Sequence, residues 1–332
     1  MIRRAQFLRL LGWAGLSLAC QALPARSASR SGRSSLPSPV RLRDWARAEG
    51  LTVRWLEPNR RLQLSKGDLR VVLQANSREA TINGIRVWLL CPFEYINPAG
   101  FLAEVDIQHT LKPFLKPPQL PPGQRLQHIC LDPGHGGKDP GYRVGNLEEK
   151  QLTLALAQEV RRLLQEAGFR VTLTRTRDVY LDLEDRPRMA KRVGSDLFVS
   201  LHFNATAVGV PQVKGVETYC LTPTGAASTA NPGRIAPGGP FPGNQHDPAN
   251  LRLAYALQHA LVHGLAAEDR GLRRARFAVL REATIPAALV EAGFLSHPVE
   301  GRKIGDPAYQ KLIAQQLFRG LQAYRQLVEP RA

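Results

Sequence analysis

HICLDPGHGGKDPGYRVGNLEEKQLTLALAQEVRRLLQEAGFRVTLT, residues 128–174, decides how the chain is read. HICLD is an apolar, strand-like run. The next residues, PGHGGKDPG, are rich in turn formers. From Glu149 to Ala167 apolar residues recur at Leu152, Leu156, Val160, Leu163 and Leu164, which is the period of one helix face, and Gly168 supplies the stop. FRVTLT (169–174) then returns to a strand pattern. Strand, loop, helix and strand in that order make an α/β unit. Downstream the alternation continues. A helix is expected over Leu183–Val193 with Pro187 near its start. DLFVSLHFN (196–204) and GVETYCL (215–221) read as strands, Asn250–Leu265 as a helix, FAVLR (277–281) and AALVEAGF (287–294) as strands, and Tyr309–Leu327 as a closing helix. This pattern predicts an α/β fold over residues 125–332, a three-layer sandwich with a mostly parallel or mixed central sheet between helices. Residues 222–248, rich in Gly, Pro and Ala and lacking periodicity, read as an exposed insertion.

Upstream the character changes. KPPQLPPGQ (116–124) is a Pro-rich linker. Residues 40–115 contain a short helix-like stretch, Leu42–Glu49, and then LTVRWL (51–56), RLQLS (61–65), LRVVLQ (69–74) and TINGIRVWLL (81–90). Asn83-Gly84 marks a hairpin turn, and Val105–Leu115 has helical character. A small β-rich domain is expected here. Residues 30–39 (RSGRSSLPSP) are a polar linker. Residues 1–29 have basic Arg3, Arg4 and Arg9, an apolar stretch from Leu10 to Leu23 and a small-residue segment, the layout of a secretory signal peptide. Export to the periplasm or cell envelope follows as the expectation.

The chain has 332 residues, of which 43% are hydrophobic and 22% charged, an ordinary globular balance. No apolar run reaches the length of a membrane span. The net charge of +17 is unusual, and without the four leader arginines +13 remains. Such a basic exported protein suits anionic partners. No helix-turn-helix, zinc-finger or RNA-binding signature directs that charge to nucleic acid. Cys91, Cys130 and Cys220 form no CxxC pair or cysteine zinc spacing, and Cys130 and Cys220 read as small buried hydrophobes.

Candidate chemistry rests on four residues. His135 follows one strand, His202 closes another, and Glu149 opens a helix. Catalytic zinc sites use three His or carboxylate ligands and keep one position open. Strand ends and helix starts on one edge of an α/β sheet converge in space. A strand-end histidine can equally be a hydrogen-bonded structural residue. Glu291 lies in the apolar run PAALVEAGFLS, where a carboxylate is costly unless partnered. It serves either as a proton carrier or as the partner of Arg281, Arg302 or Lys303.

The stretch from about 126 to 327 resembles the catalytic domain of zinc-dependent N-acetylmuramoyl-L-alanine amidases of the AmiC-like type, which are bacterial cell-wall hydrolases. The resemblance runs in order through LDPGHGGKDPG, GNLEEKQLTLALA, VTLTRTRD, RPRMAKRVGSDLFVSLHFNA, GVETYCL, DRGLRRARFAVLR and LVEAGFLSHPVE. It implies Zn2+ on His135, Glu149 and His202, with Glu291 as the catalytic carboxylate. It also implies hydrolysis of the amide between N-acetylmuramic acid and L-alanine in peptidoglycan. Glu148 adjoins Glu149 and is the alternative ligand. His297 stands where the family commonly has Asn. Arg270 and Arg276 are candidates for contact with substrate carboxylates, and His246 is a conceivable extra ligand. The segment WLEPNRRLQLSKGDLRVVLQANSREATINGIRVWLL (55–90) resembles the small stalk domain at the N-terminus of some copper amine oxidases and many envelope enzymes. The implied partners are peptidoglycan and a protein activator, with no nucleic acid, and the chain is expected to be monomeric. A zinc peptidase cutting within stem peptides and an inactive wall-binding protein are the alternatives. A serine esterase is disfavoured because no GxSxG occurs.

Overall fold

A computed structural model describes residues 37–229 and 240–329. The expected leader (1–29), linker residues up to 36 and the middle of the 222–248 insertion lie outside the described residues. In chain order the elements begin with β1 (Pro39–Arg41), α1 (Leu42–Ala48), β2 (Thr52–Glu57), β3 (Arg61–Lys66), β4 (Leu69–Gln74), β5 (Ser77–Ile82), β6 (Ile85–Ile96) and β7 (Ala99–Ala103). A helical stretch α2 follows, made of Glu104–Asp106 and Lys112–Leu115 joined by a π-helical turn, Ile107–Leu111. The second half contains β8 (His128–Pro133), β9 (Arg143–Val144), β10 (Leu147–Glu148), α3 (Glu149–Glu166), β11 (Arg170–Leu173), α4 (Asp185–Arg192), β12 (Leu197–Asn204) and β13 (Val216–Leu221). It ends with α5 (Asp247–Leu265), β14 (Asp269–Ala275), α6 (Ala278–Arg281), β15 (Ala287–Phe294), α7 (Glu300–Ile304) and α8 (Pro307–Val328).

The central sheet of the second half runs β11-β8-β12-β15-β13-β14. All neighbours are parallel except β13, which is antiparallel to β15. One face is covered by α3, α5 and α8. The apolar stripe of α3, with Leu156, Val160 and Leu164 fully buried, supplies part of that core, at roughly 1.5–3 kcal/mol per side chain. The other face carries a smaller core, including Phe198, Tyr219, Leu221 and Leu289, beneath α4 and α6. This is the three-layer α/β sandwich with a mixed sheet.

The N-terminal strands form an antiparallel meander, β2-β3-β4-β5-β6. Asn83 and Gly84, both with positive φ, make the tight turn that the sequence predicts between β5 and β6. The meander continues the central sheet, because β6 lies parallel to β14 with Leu272 opposite Val87. Side chains reinforce that junction. The Trp88 indole donates to the Arg270 carbonyl at 2.9 Å, the Tyr255 hydroxyl donates to the Ile82 carbonyl at 2.9 Å, and Phe114 meets Tyr255 edge-on. The 116–124 segment is tied to the end of α8 by Leu120 N–H donating to the Val328 carbonyl.

One expected strand is corrected. FAVLR is not a strand: Ala278–Arg281 forms one helical turn, and the strand before it is DRGLRRA, β14. A five-residue apolar run fits either element. The three arginines hide the real strand, because one of them, Arg274, is fully buried and donates to the His109 carbonyl. Pro187 sits in the first turn of α4, where its missing N–H has no helical partner to lose.

Candidate functional site

Three elements converge at one sheet edge. β8 delivers the loop with His135, α3 begins at Glu149, and β12 ends near His202. The ligand atoms of these three residues lie within 4.8 Å of one another. Glu149 Oε1 is 3.0 Å from His135 Nε2 and 3.1 Å from His202 Nδ1. The His135 and Glu149 side chains are 1% and 5% exposed and His202 is 13% exposed, so the cluster opens to solvent on the His202 side.

The loop is fixed from beneath. Arg175 donates to the Pro133 and Gly134 carbonyls, and Arg186 donates to the Pro133 and His135 carbonyls. These two buried guanidinium groups satisfy backbone acceptors that a glycine-rich loop cannot pair itself. Asp139 Oδ2 lies 2.8 Å from His135 Nδ1, so this ring nitrogen faces a carboxylate and Nε2 is turned toward the cluster. Gly141 is required by space: a Cβ there would lie 2.5 Å from Glu149 Oε2. The adjoining Tyr142 N–H donates to that same oxygen at 3.0 Å. Burial disfavours a charged His135, yet the Glu149 and Asp139 carboxylates outweigh it and lift the imidazole to about 10. Burial opposes ionisation of Glu149 too, but the two imidazoles hold its carboxyl far below the usual range.

Glu291 is 4% exposed and lies beside this cluster, because β15 pairs with β12 so that Glu291 is opposite His202. Its Oε2 is buried without a hydrogen-bond partner, and among the described residues Glu291 makes no ion pair with Arg281, Arg302 or Lys303. Burial, then the charges of Glu149 and Glu217, push its carboxyl well above the ordinary range.

Other candidates fall elsewhere. Glu148 turns outward to Arg143 and Lys150 and stays out of the cluster. His246 Nε2 bonds to the Thr284 carbonyl. Arg276 donates to the Ala226 and Pro223 carbonyls and to Ser228, so it anchors the start of the insertion. Arg270 does approach the site, with Nε donating to Glu217 Oε1 at 2.8 Å. His297 Nδ1 accepts the N–H groups of Val299 and Glu300, a capping role an Asn side chain also fills. Asp132, Arg175, Arg186 and Glu217 escape the sequence reading. Asp132 and Glu217 carried the same signal as Glu291, an acid within an apolar strand, whereas the arginines look like surface residues until the fold buries them.

Comparison with known proteins agrees with this geometry. Residues 129–323 match the Amidase_3 family model, described as N-acetylmuramoyl-L-alanine amidase. The amidase AmiC of Neisseria meningitidis serogroup B is 35% identical over 218 residues, covering 59% of this chain and 52% of that protein. The chain therefore spans about half the length of that relative. The amidase AmiA of Escherichia coli K12 is 31% identical over 228 residues, covering 61% of this chain and 76% of that protein. Among solved structures, the amidase AmiC2 of Nostoc punctiforme superposes with a TM-score of 0.51 at 29% identity, covering 61% of this chain and 99% of that one. An N-acetylmuramoyl-L-alanine amidase from Clostridium difficile 630 superposes with a TM-score of 0.50 at 31% identity, covering 60% and 97%. With sequence, fold and the edge of the sheet in agreement, the chain belongs to the N-acetylmuramoyl-L-alanine amidase family.

Proposed function

We propose that this protein is an exported, zinc-dependent amidase that hydrolyses the bond between the lactyl group of N-acetylmuramic acid and L-alanine in peptidoglycan. The observation that carries the reading is a buried carboxylate oxygen without a partner, Glu291 Oε2, beside three converging donors of the His/Glu type. That donor set fits zinc. Two imidazoles and one carboxylate are its usual ligands, and Asp139 behind His135 is the outer partner such histidines have.

In this reading His135, Glu149 and His202 hold the metal. When bound, zinc supplies Lewis-acid character to the scissile carbonyl and to the attacking water. Glu291 takes the proton from that water and passes it to the departing alanine nitrogen, so that an amine leaves and a carboxylate forms on the lactyl group. Arg175 and Arg186 keep the His135 loop from relaxing away from the metal.

Residues 1–29 act as the export signal that delivers the chain to the periplasm or envelope, where the polymer lies. Among the described residues, no helix is long and apolar enough to cross a membrane. Residues 40–115 form a stalk-like module joined by 116–124 to the zinc amidase domain, 125–332. A protein activator belongs to the proposal, because the similar CwlD amidase of Clostridioides difficile is solved in complex with the GerS lipoprotein. The test is digestion of purified peptidoglycan by the zinc-loaded chain with mass spectrometry of the products. Whole stem peptides beginning with a free L-alanine amine are expected. Fragments cut within the peptide would replace the reading with a peptidase, and tight binding without products would replace it with a wall-binding protein.

A further inference from the structure

The strand row that carries the candidate site extends into the N-terminal meander. His202 is opposite Glu291, Glu291 opposite Glu217, and Glu217 opposite Gly271. On the next strand Val87 is opposite Leu272. Side chains alternate across strands, so Arg86 and Trp88 stand on the face of Glu217 and Glu291, while Val87 is fully buried on the other. Gly271 makes the passage between them. A Cβ there would lie 3.0 Å from Arg86 Cγ and from Trp88 Cδ1, and its φ of +93° is one that side-chain-bearing residues rarely adopt. The absent side chain lets Arg86 and Trp88 lean across β14 toward the site.

Two further arginines are held there. Arg270 is fixed through Nε on Glu217 and lies 4.9 Å over the Phe294 ring. Arg273 lies 5.1 Å over the Trp88 ring. The Arg86, Arg270 and Arg273 side chains are 38%, 21% and 19% exposed; Arg270 Nη1 lies 3.8 Å from Glu268 Oε1 and Arg273 Nε 3.4 Å from Glu217 Oε1, contacts long enough to leave these groups room for a further acceptor. Arg86 Nε is paired with Glu79 at 3.0 Å, which orients the group and leaves its outer edge open.

We propose that Arg86 and Trp88, with Arg270 and Arg273, form a subsite for a carboxylate-bearing peptide, extending the amidase site along the meander. This rests on the amidase reading of the site. Guanidinium edges presented in this way match carboxylates through paired hydrogen bonds, and the indole offers a flat apolar wall beside them. The distance agrees with a stem peptide. β15 and β6 are three strand spacings apart, about 14 Å. An extended peptide covers that in about four residues. A peptide whose first residue sits at Glu291 thus brings its later carboxylates over Arg86. The N-terminal strands thereby become part of substrate recognition.

The experiment uses the full zinc-loaded chain carrying Glu291→Gln, so that the ligand persists. Calorimetry measures three probes: N-acetylmuramoyl-L-alanine, an N-acetylmuramoyl pentapeptide with free carboxylates, and the same pentapeptide with its carboxylates amidated. The free pentapeptide is expected to bind roughly tenfold or more tightly than either of the others, and Arg86→Ala is expected to remove most of that advantage. Trp88→Phe, which keeps a ring but loses the bond to the Arg270 carbonyl, is expected to weaken binding less. Arg86 is partly exposed, so its replacement leaves folding intact and the result readable. Equal binding of the free and amidated peptides, equal binding by the Arg86→Ala chain, or no binding of the pentapeptide by the parent overturns the subsite. If the chain without the Glu291 substitution releases stem peptides while Arg86→Ala binds like its parent, only the subsite falls. If it releases none, the amidase reading falls.

Discussion

Two carboxylates buried in the same sheet differ in how they are kept. Asp132, at the end of β8, accepts hydrogen bonds from Thr174 at 2.6 Å, Ser200 at 2.8 Å and Arg186 at 2.9 Å. Burial opposes its charge, but Arg186 and the two hydroxyls overcome it and hold the acid below its ordinary range. Glu291, two strands away, faces Glu149 and Glu217 and has an oxygen without a partner. A satisfied buried acid maintains a shape. An unsatisfied one among other acids destabilises the folded chain unless something with positive charge or a proton comes to it. The difference teaches that Asp132 serves the fold, and it supports the proposed role of Glu291 at the site.

Substitutions sharpen the contrast. The largest effect is expected from Glu291→Gln. Release of stem peptides from peptidoglycan should fall by about a thousandfold or more, since a proton carrier of this kind contributes roughly 100- to 10,000-fold. The thermal midpoint should hold or rise. A fall in stability with activity retained would place Glu291 with Asp132. The reverse is expected of Asp132→Ala. Leaving the Arg186 charge buried without its partner should cost about 3–5 kcal/mol, read as a lower urea midpoint. A chain that tolerates this change with unaltered stability would break the comparison from the other side.

A smaller effect is expected behind the proposed metal ligands. Asp139→Ala removes the group that orients His135, and zinc affinity should drop roughly 10- to 100-fold by competition with a chelator. The smallest effects are in pH dependence, where the two acids have opposite signs. The Asp132 carboxyl is lowered in the folded chain from its ordinary 3.8, so its contribution is present above that value and lost as pH falls through the folded value. The Glu291 carboxyl is raised from its ordinary 4.5, so in chelator-treated protein its contribution is present below 4.5 and lost as pH rises through the folded value. Urea midpoints against pH should therefore lose part of their acid limb in Asp132→Asn and part of their decline above pH 4.5 in Glu291→Gln.

The same contrast explains what the sequence disclosed. Periodicity located α3, and short apolar runs bounded by turn formers located β8, β12 and β15. The four site candidates were visible because acids and histidines at the ends of apolar runs are conspicuous. The loop's support was not visible. Arg175 and Arg186 lie in TRTRD and RPRM, which resemble solvated segments, and only the tertiary fold turns them under the Pro133–His135 carbonyls. β14 was concealed for the same reason, as its arginines become buried or half-buried. The joining of β6 to β14 had no sequence signal, because strand pairing between distant segments depends on shape, here on the space left by Gly271.

The central claim is that three side chains remote in sequence surround one divalent ion. Zinc titration of the chelator-stripped full chain by calorimetry tests it most directly. One equivalent should bind tightly, and His135→Ala, Glu149→Ala and His202→Ala should each abolish that tight event. An unchanged stoichiometry and affinity in all three variants, or no zinc uptake by the parent chain, would contradict it.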